Sequence, residues 1–238
     1  NFNTNTADFN FDIPIIAELA NYTFMVYGNN AGVRTLEKEI NEVVVGDAYI
    51  IQGQSNAEAR QRSGDANIYQ NDFIRVYANG TDNASDLLNN NEWYLGQGNG
   101  SRNTNGNCGQ WGLAFANAMV NNTNVPVAIF NGAHGGNEID FFLAPDNYTS
   151  SQASNYGRLY YRLDQTELKD HVRGVLWSQG ERDADPSAAT TTTQYKNEFD
   201  DLKSSWVADY TNIEHIYIFQ TKNGCDKPVE NVMQIKEA

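Results

Sequence analysis

Ser55 is the residue whose surroundings point most directly to chemistry. It follows the largely apolar segment 46–52 and the dipeptide Gly53-Gln54, and a helical stretch is expected to begin beside it. A serine in such a turn exposes its hydroxyl, and the N–H groups that open the helix face the oxyanion formed when the hydroxyl attacks a carbonyl. The position equally suits a serine that only caps a helix. The spacing alone leaves both interpretations open.

A second polar segment, residues 177–183, also follows an apolar run. The side-chain amide of Gln179 is a suitable hydrogen-bond donor to an oxyanion. The alternative is that Gln179, Glu181 and Asp183 belong to an ordinary polar loop. Convergence of Gln179 with the serine would favour the first interpretation.

A glycine and a histidine supply further candidates. Gly109 precedes the helical stretch 113–120, and its backbone N–H could complete an oxyanion hole because glycine lets a bound group approach the backbone closely. Of the three histidines, His134 alone follows an apolar strand. His171 and His215 precede strands and are expected at the opposite edge of the sheet. His134 is therefore the histidine best placed to act as a base.

The elements that must position these residues are short apolar runs separated by helical stretches, a pattern typical of a parallel sheet covered on both faces. The five runs are 48–52, 73–77, 125–130, 173–177 and 213–219. Because the carboxyl ends of parallel strands share one edge, the candidate residues are expected to meet there. Helices are predicted over 112–120, over 156–170 and along the stripe Tyr195, Phe199, Leu202 and Trp206, and a long polar loop over 89–109.

Residues 1–42 show a different pattern, in which apolar and polar residues alternate in short pieces such as 9–13 and 22–26. This alternation predicts antiparallel strands, with a turn at 28–30. The strands are too few for a sandwich of their own. We expect a β-rich leader that either flanks a main domain over 43–238 or is the remnant of a β-sandwich.

The composition restricts the classes of partner. Sixteen Lys and Arg against thirty Asp and Glu give a net charge of -14, which argues against nucleic acid. No apolar stretch is long enough to span a bilayer, and the cysteines and histidines do not stand at metal-ligand spacing. We therefore expect no nucleic acid, membrane or metal. Cys108 and Cys225 could pair in an oxidising compartment, although two buried thiols are the plainer interpretation.

The polar segments together resemble the sialate O-acetylesterase-like branch of the SGNH hydrolases, which includes carbohydrate acetyl esterases. The resemblance rests on Gly53-Gln54-Ser55-Asn56, on Gly135-Gly136 and on Trp177-Ser178-Gln179-Gly180-Glu181-Arg182-Asp183, which stand in the family's order. It implies a three-layer α/β/α fold with a five-stranded, flavodoxin-like parallel sheet. It also implies a secreted or periplasmic esterase that acts on an acetylated carbohydrate without a cofactor.

The same resemblance assigns roles to residues. Ser55 matches the nucleophile and Gln179 the side-chain donor to the oxyanion. Gly109 is the expected backbone donor, with Gly112 as the alternative. The residues expected to bind substrate are Gln54, Asn56, Gly135 and Glu181.

One motif of the family is missing, because no aspartate here has a histidine three residues later. In the family's Asp-x-x-His, the histidine accepts the serine proton and the aspartate orients the imidazole. Three explanations are open: the domain lacks its C-terminal end, His134 supplies the base, or the chain is not an enzyme. We favour the first. The two functional hypotheses are a serine esterase and a catalytically inactive carbohydrate-binding module on the same fold.

Overall fold

The computed structural model describes residues 10–188, 190–222 and 227–238. The strands in this part of the chain are β1 (Tyr22–Asn30), β2 (Val33–Val43), β3 (Asp47–Gly53), β4 (Ile74–Tyr77), β5 (Trp93–Leu95), β6 (Val127–Asn131), β7 (Val172–Ser178) and β8 (His215–Ile218). The α-helices are α1 (Ser55–Glu58), α2 (Ala84–Leu88), α3 (Gln110–Thr123), α4 (Asn155–Gln165), α5 (Thr192–Asp209) and α6 (Val229–Glu237). Short 3-10 helices lie at Ala66–Tyr69, Ile139–Phe142 and Lys169–His171.

Six strands form one sheet, in the order β5-β4-β6-β3-β7-β8. The strands from β4 to β8 in this order are parallel to their neighbours. They correspond to the five predicted apolar runs, so the prediction of a five-stranded parallel sheet is confirmed. Strand β3, which leads to Ser55, lies between β6 and β7. The segments that follow these three strands therefore meet at one edge of the sheet.

The sixth strand corrects part of the predicted loop over 89–109. Strand β5 pairs antiparallel with β4 at the edge of the sheet. The Trp93 ring lies edge-on to Tyr77, with 5.4 Å between ring centroids, and 6.1 Å from Phe130. These contacts join residues far apart in sequence. Because β5 has three residues and is stabilised by these distant contacts, its own sequence shows no alternation of apolar and polar residues that would predict a strand.

The predicted helices are present in the structure, but the helix predicted over 156–170 ends earlier than expected. Helix α3 contains residues 112–120, and α5 buries Tyr195, Leu202 and Trp206 on one stripe. Helix α4 stops at Gln165, five residues before the predicted end. The Thr166 hydroxyl donates to a carbonyl of the last turn, and Glu167 takes a left-handed φ of 57°. This combination ends the helix, since the left-handed conformation does not continue it.

The core has two halves, one on each face of the sheet. Ile50 in β3 belongs to the cluster that contains Leu159 of α4 and Trp206 of α5. Its neighbour Ile51 belongs to the cluster that contains Leu113 of α3. Successive residues of a strand point to opposite faces, so β3 packs against helices on both sides. The arrangement is the expected three-layer α/β/α fold.

Strands β1 and β2 form a separate two-stranded antiparallel sheet, as predicted for the leader. The turn predicted at 28–30 is wrong, because these residues pair within the hairpin. The chain reverses instead at Ala31 and Gly32, which have φ values of 50° and 89°. Positive φ at both central positions is typical of the turn that matches the twist of a hairpin. Residues 10–13 form no strand, and Phe9 lies outside the described residues.

The structure bears on two further predictions, one for the cysteines and one for a membrane-spanning helix. Cys108 is fully buried, and its thiol donates to the Gln97 carbonyl oxygen at 3.3 Å. Burial raises the pKa of this thiol to about 12, so it stays protonated at neutral pH. Cys225 lies outside the described residues, so both interpretations, two buried thiols or a disulfide, stay predictions. Among the helices of the described ranges, none has the length and apolar character needed to cross a bilayer.

Candidate active site

Ser55 is the first residue of α1, directly after the turn that ends β3. Gly53 shapes this turn with a φ of 128°, and a Cβ atom there would lie 2.1 Å from the Ser178 carbonyl oxygen. The same oxygen accepts a hydrogen bond from the Gln54 N–H at 3.0 Å. The chain can therefore turn away from β7 only if the last residue of β3 is glycine. The turn leaves the Ser55 side chain exposed.

Ser55 opens into a cleft with a volume of about 610 Å³. The cleft is lined by Ser55, Asn56, Glu58, Ala59, Arg60, Arg62, Arg102, Gln110, Trp111, Gly135 and Gly136. One wall is the Trp111 indole, whose Nε1 donates to the Asn56 carbonyl oxygen at 2.6 Å. Phe219 packs on the same indole, with 5.4 Å between ring centroids. The cleft thus offers a fixed aromatic face beside the candidate nucleophile.

Gly109, the predicted backbone donor, lies beside the end of α1. It has a φ of 82°, and a Cβ atom there would lie 2.6 Å from the Glu58 carbonyl oxygen. The following N–H, of Gln110, donates to the Ala59 carbonyl oxygen. Within the described residues, neither the Gly109 N–H nor the Ser55 N–H has an acceptor. Gly109 is buried and, like Gly112, is not among the residues that line the cleft, so its role as a donor to an oxyanion stays a prediction.

The alternative donor, Gly112, has a packing role instead. It is buried in the first turn of α3, and a Cβ atom there would lie 2.8 Å from Cδ1 of Ile51. The absence of a side chain lets the helix approach β3 closely. Gly112 does not line the cleft.

Gln179 lies in the loop after β7, is 3% exposed and does not line the cleft. Its Nε2 donates to the Asn137 carbonyl oxygen at 3.1 Å and to the Asp183 carboxylate. Both amide hydrogens are thus engaged, and the structure does not bring them to Ser55. A role as oxyanion donor would require the amide to leave these partners, and it stays a prediction.

His134 also has partners other than the serine. Its Nε2 lies 3.1 Å from a carboxylate oxygen of Asp82, and its Nδ1 faces the side-chain amide of Asn137. Its backbone N–H donates to the Gly53 carbonyl oxygen at 2.8 Å. The Ser55 hydroxyl, for its part, has no hydrogen-bond partner within residues 10–188, 190–222 and 227–238. His134 therefore lies close in space to the turn that carries Ser55, but its ring is not oriented as a base for the Ser55 hydroxyl.

The match to a family model agrees with this geometry. Residues 45–237 match the model described as "Carbohydrate esterase, sialic acid-specific acetylesterase". The chain belongs to this carbohydrate esterase family. The resemblance found in the polar segments of the sequence is thereby confirmed.

Two solved structures share the fold of this carbohydrate esterase. A protein from Arabidopsis thaliana aligns with a TM-score of 0.58 and 19% identity, over 79% of this chain and 78% of that one. A carbohydrate acetylesterase from Xanthomonas citri aligns with a TM-score of 0.57 and 17% identity, over 90% of this chain and 50% of that one. No curated protein matches the chain. At these identities the structures establish the fold alone.

Asn131, which ends β6, is a site residue that the sequence did not single out. Its Nδ2 donates to the Ala57 carbonyl oxygen at 3.2 Å and to the Cys108 carbonyl oxygen at 3.0 Å. Its Oδ1 accepts from the Ala133 N–H at 2.9 Å. One buried amide thus joins the nucleophile helix to the loop that carries Gly109. Its place at the end of an apolar run was the signal that the sequence offered.

A second group that the sequence did not reveal surrounds Glu58. This carboxylate is 5% exposed, and its Oε2 accepts from the Gly135 N–H at 3.0 Å. Arg102 lies 3.5 Å from the same oxygen and pairs at 2.7 Å with Asp82. Burial raises the pKa of Asp82, but the hydrogen bond from Arg102 and the charge of His134 outweigh it and lower the pKa. The group fixes the loop at Gly135 over the serine.

The four residues predicted to bind substrate divide into two pairs. Asn56 and Gly135 line the cleft of the esterase. Gln54 and Glu181 are buried outside it. The Gln54 Oε1 accepts from the Arg182 N–H at 3.0 Å, and Glu181 accepts from the Asn56 side-chain amide. The second pair therefore ties the nucleophile turn to the loop after β7.

In the described ranges, no group of three or more His, Cys, Asp or Glu is arranged to hold a metal ion. His171 and His215 lie at the amino ends of β7 and β8, as predicted.

Proposed function

We propose that the chain is a serine esterase that removes O-acetyl groups from a carbohydrate through an acyl-enzyme on Ser55. The observation that carries the proposal is the exposed serine at the start of α1, in a cleft, in a member of a carbohydrate esterase family. The free N–H groups of Ser55 and Gly109 support it, because acyl transfer passes through an oxyanion.

The proposed reaction has two steps. The Ser55 oxygen attacks the acetyl carbonyl carbon, a base takes the hydroxyl proton, and the N–H groups of Ser55 and Gly109 stabilise the tetrahedral oxyanion. Collapse breaks the bond to the sugar oxygen, which leaves as a hydroxyl after receiving the proton. Water then attacks the acetyl-serine and releases acetate. A serine hydroxyl is a weak nucleophile at neutral pH. Removal of the Ser55 proton therefore limits the rate as long as no imidazole contacts the Ser55 hydroxyl.

Replacement of Ser55 tests the nucleophile. In the full-length protein, we expect Ser55→Ala to reduce hydrolysis of a chromogenic acetate ester by about 10³-fold or more. The matched control is Ser204→Ala, at an exposed position on α5, where we expect an unchanged rate. Hydrolysis that survives Ser55→Ala at the wild-type rate would show that another residue is the nucleophile.

The cleft suggests which acetylated sugars fit. Its charged lining residues are Glu58, Arg60, Arg62 and Arg102, in a protein with a net charge of -14. Glu58 and Arg102 face each other. Arg60 and Arg62 are exposed and form no ion pair within the described part of the chain. We propose that they attract a carboxylate on the sugar, as in a sialic acid or an acidic polysaccharide, whose ring packs on Trp111.

A comparison of substrates tests this preference. We expect Arg62→Gln to raise KM for an acetylated sugar acid several-fold, because the charge that attracts the carboxylate is gone. KM for a neutral acetylated sugar should not change. Arg173→Gln, at the far edge of the sheet, is the control. Equal changes for acidic and neutral sugars would contradict a role in carboxylate binding.

One observation favours the second candidate, a carbohydrate-binding module without catalysis. The Ser55 hydroxyl contacts no base in the described residues, and the sequence has no Asp-x-x-His. Binding of an acetylated sugar without release of acetate would support this function. For either function we propose a secreted or periplasmic location, where such carbohydrates are accessible, and fractionation of expressing cells tests it.

A further inference from the structure

A small polar cavity lies apart from the cleft, beneath the carboxyl end of β6. Its volume is about 10 Å³. It is lined by Asn79, Gly80, Thr81, Gly132, Asn155, Arg158 and Arg162. A space of this size is close to that of one water-sized sphere. No residue of the proposed esterase mechanism lines it.

One of the side chains that line the cavity, Arg162, is a buried cation without an anionic partner in the described residues. Arg162 is 2% exposed and forms no ion pair in the part of the chain that the structure describes. Its Nη2 donates to the Asn131 carbonyl oxygen at 2.8 Å, but its Nε–H has no acceptor there. Buried guanidinium groups are ordinarily paired with an anion, because an unpaired buried charge and an unsatisfied N–H are both costly.

The neighbouring side chains add donors to this cavity. Arg158 stands one helical turn before Arg162 and is 7% exposed. Its Nη1 donates to the Ala153 carbonyl oxygen at 2.8 Å, and its Nη2 lies 3.7 Å from Asp82, too far for a hydrogen bond. The Thr81 oxygen accepts from the Asn83 N–H, which leaves its O–H available as a donor. The side-chain amide of Asn155 donates to the Gly132 carbonyl oxygen. The lining thus presents N–H and O–H groups and contains no carboxylate.

The local charges do not balance. Three guanidinium groups, of Arg102, Arg158 and Arg162, lie in this region together with two carboxylates, of Glu58 and Asp82. The guanidinium groups outnumber the carboxylates by one. Burial and the charge of Arg158 lower the pKa of Arg162 to about 10, which still leaves it charged at neutral pH. A monovalent anion would balance the group, whereas a water would not.

From this we infer that the cavity between Thr81, Arg158 and Arg162 is a binding site for a halide ion, with chloride as the physiological ligand. The ion accepts hydrogen bonds from the Arg162 Nε–H and from donors of Arg158 and Thr81. Arg162 also donates a hydrogen bond to the Asn131 carbonyl oxygen, so the ion stabilises the end of β6. At this point Asn131 joins α1 to the loop that carries Gly109. The site is independent of the proposed esterase activity.

Thermal unfolding in matched salts tests the site. In sodium chloride the unfolding midpoint should exceed that in sodium gluconate of equal ionic strength by about 2 to 4 °C, because gluconate cannot enter the cavity. Thr81→Val and Arg158→Gln should each reduce this difference. Because Thr81→Val preserves the side-chain volume, it still tests the site if the Arg158→Gln protein does not fold. The matched control, Arg173→Gln, alters an exposed ion pair at the opposite edge and should keep the full difference.

Crystals grown in sodium bromide give the second measurement. We expect an anomalous bromide peak within hydrogen-bond distance of the Arg162 Nε and Thr81 Oγ1. A water in the cavity without anomalous signal would overturn the proposal. Equal unfolding midpoints in chloride and gluconate, or a chloride effect that is unchanged in Thr81→Val and Arg158→Gln, would also overturn it.

Discussion

At the scale of single residues, Gly53 and Gly109 do more than flank the serine. Both have a positive φ, and both bring their backbone so close to a neighbouring carbonyl oxygen that a side chain would collide with it. Gly53 lets the chain leave the sheet beside β7, and Gly109 brings a backbone N–H next to α1. The positions of the proposed nucleophile and of its proposed backbone donor thus depend on the absence of a Cβ atom at Gly53 and Gly109.

Substitution of Gly53 measures this dependence. We expect Gly53→Ala to lower the free energy of unfolding by about 2 to 5 kcal/mol, because left-handed strain adds to the collision with the Ser178 carbonyl. Gly64→Ala is the control, since Gly64 has a φ of 74° but no atom within 4 Å of the added Cβ. It should cost about 1 kcal/mol. Urea unfolding gives both values, and equal costs would contradict the close approach as the cause.

The sequence revealed some of these residues and not others, for a physical reason. Ser55 stands two residues after Gly53 at the junction of an apolar run and a helix, and Gly109 comes just before a helical stretch, which the local pattern shows. Asn131, Glu58 and Arg102 act through contacts with residues far away in the chain. No spacing in the sequence announces such contacts. The orientation of Gln179 likewise depends on Asn137, on a different loop.

At the scale of elements, the loop after β7 is held by one buried carboxylate. Asp183 is 2% exposed and accepts from the Gln179 amide, from the Ile139 N–H at 3.3 Å and from the Thr190 hydroxyl at 3.1 Å. These bonds join the loop to the 3-10 helix after β6 and to the start of α5. Burial raises the pKa of Asp183 to about 6, although the hydrogen bonds oppose the rise.

This shift predicts a pH dependence of stability. The folded-state pKa of Asp183 lies above its unfolded value near 3.8, so the folded protein binds the proton more tightly. Its contribution is therefore fully present below about pH 4 and is lost as the pH rises to about 6. We expect the free energy of unfolding of the wild type, relative to that of Asp183→Asn, to fall by about 3 kcal/mol over this range.

The control for this measurement is Asp200→Asn, on the exposed face of α5. A hydrogen bond from Lys196 lowers the pKa of Asp200, so its stabilising contribution is instead lost as the pH falls. Denaturant unfolding at pH 4, 5, 6 and 7 gives the comparison. A difference between wild type and Asp183→Asn that is independent of pH would contradict the raised pKa.

The elements themselves were largely predictable. The five parallel strands are continuous apolar runs, and α5 shows a clear stripe, because burial on both faces or on one face imposes these patterns. The turn at Ala31 and Gly32 was missed since the neighbouring 28–30 is the stronger turn pattern by composition. Strand β5 was missed because aromatic contacts across the sheet, and not its own sequence, stabilise it.

At the scale of the whole molecule, the distribution of charge is uneven. The chain carries a net charge of -14, yet three of its arginines line the cleft and two others line the small cavity behind β6. The first set faces solvent beside Ser55, and the second is buried. Their surroundings suggest different ligands, an acidic sugar in the cleft and a monatomic anion in the cavity. The overall acidity alone showed neither site.

The family match places the chain among carbohydrate esterases, and the central proposal is that Ser55 carries the acetyl group during the reaction. The most direct test is to mix the protein with an activated acetate ester, quench at short times and map acetylation by mass spectrometry. The account predicts acetyl on the peptide that contains Ser55, and its absence from Ser55→Ala. Release of acetate without acetylation of Ser55, or equal acetylation of other serines, would contradict it.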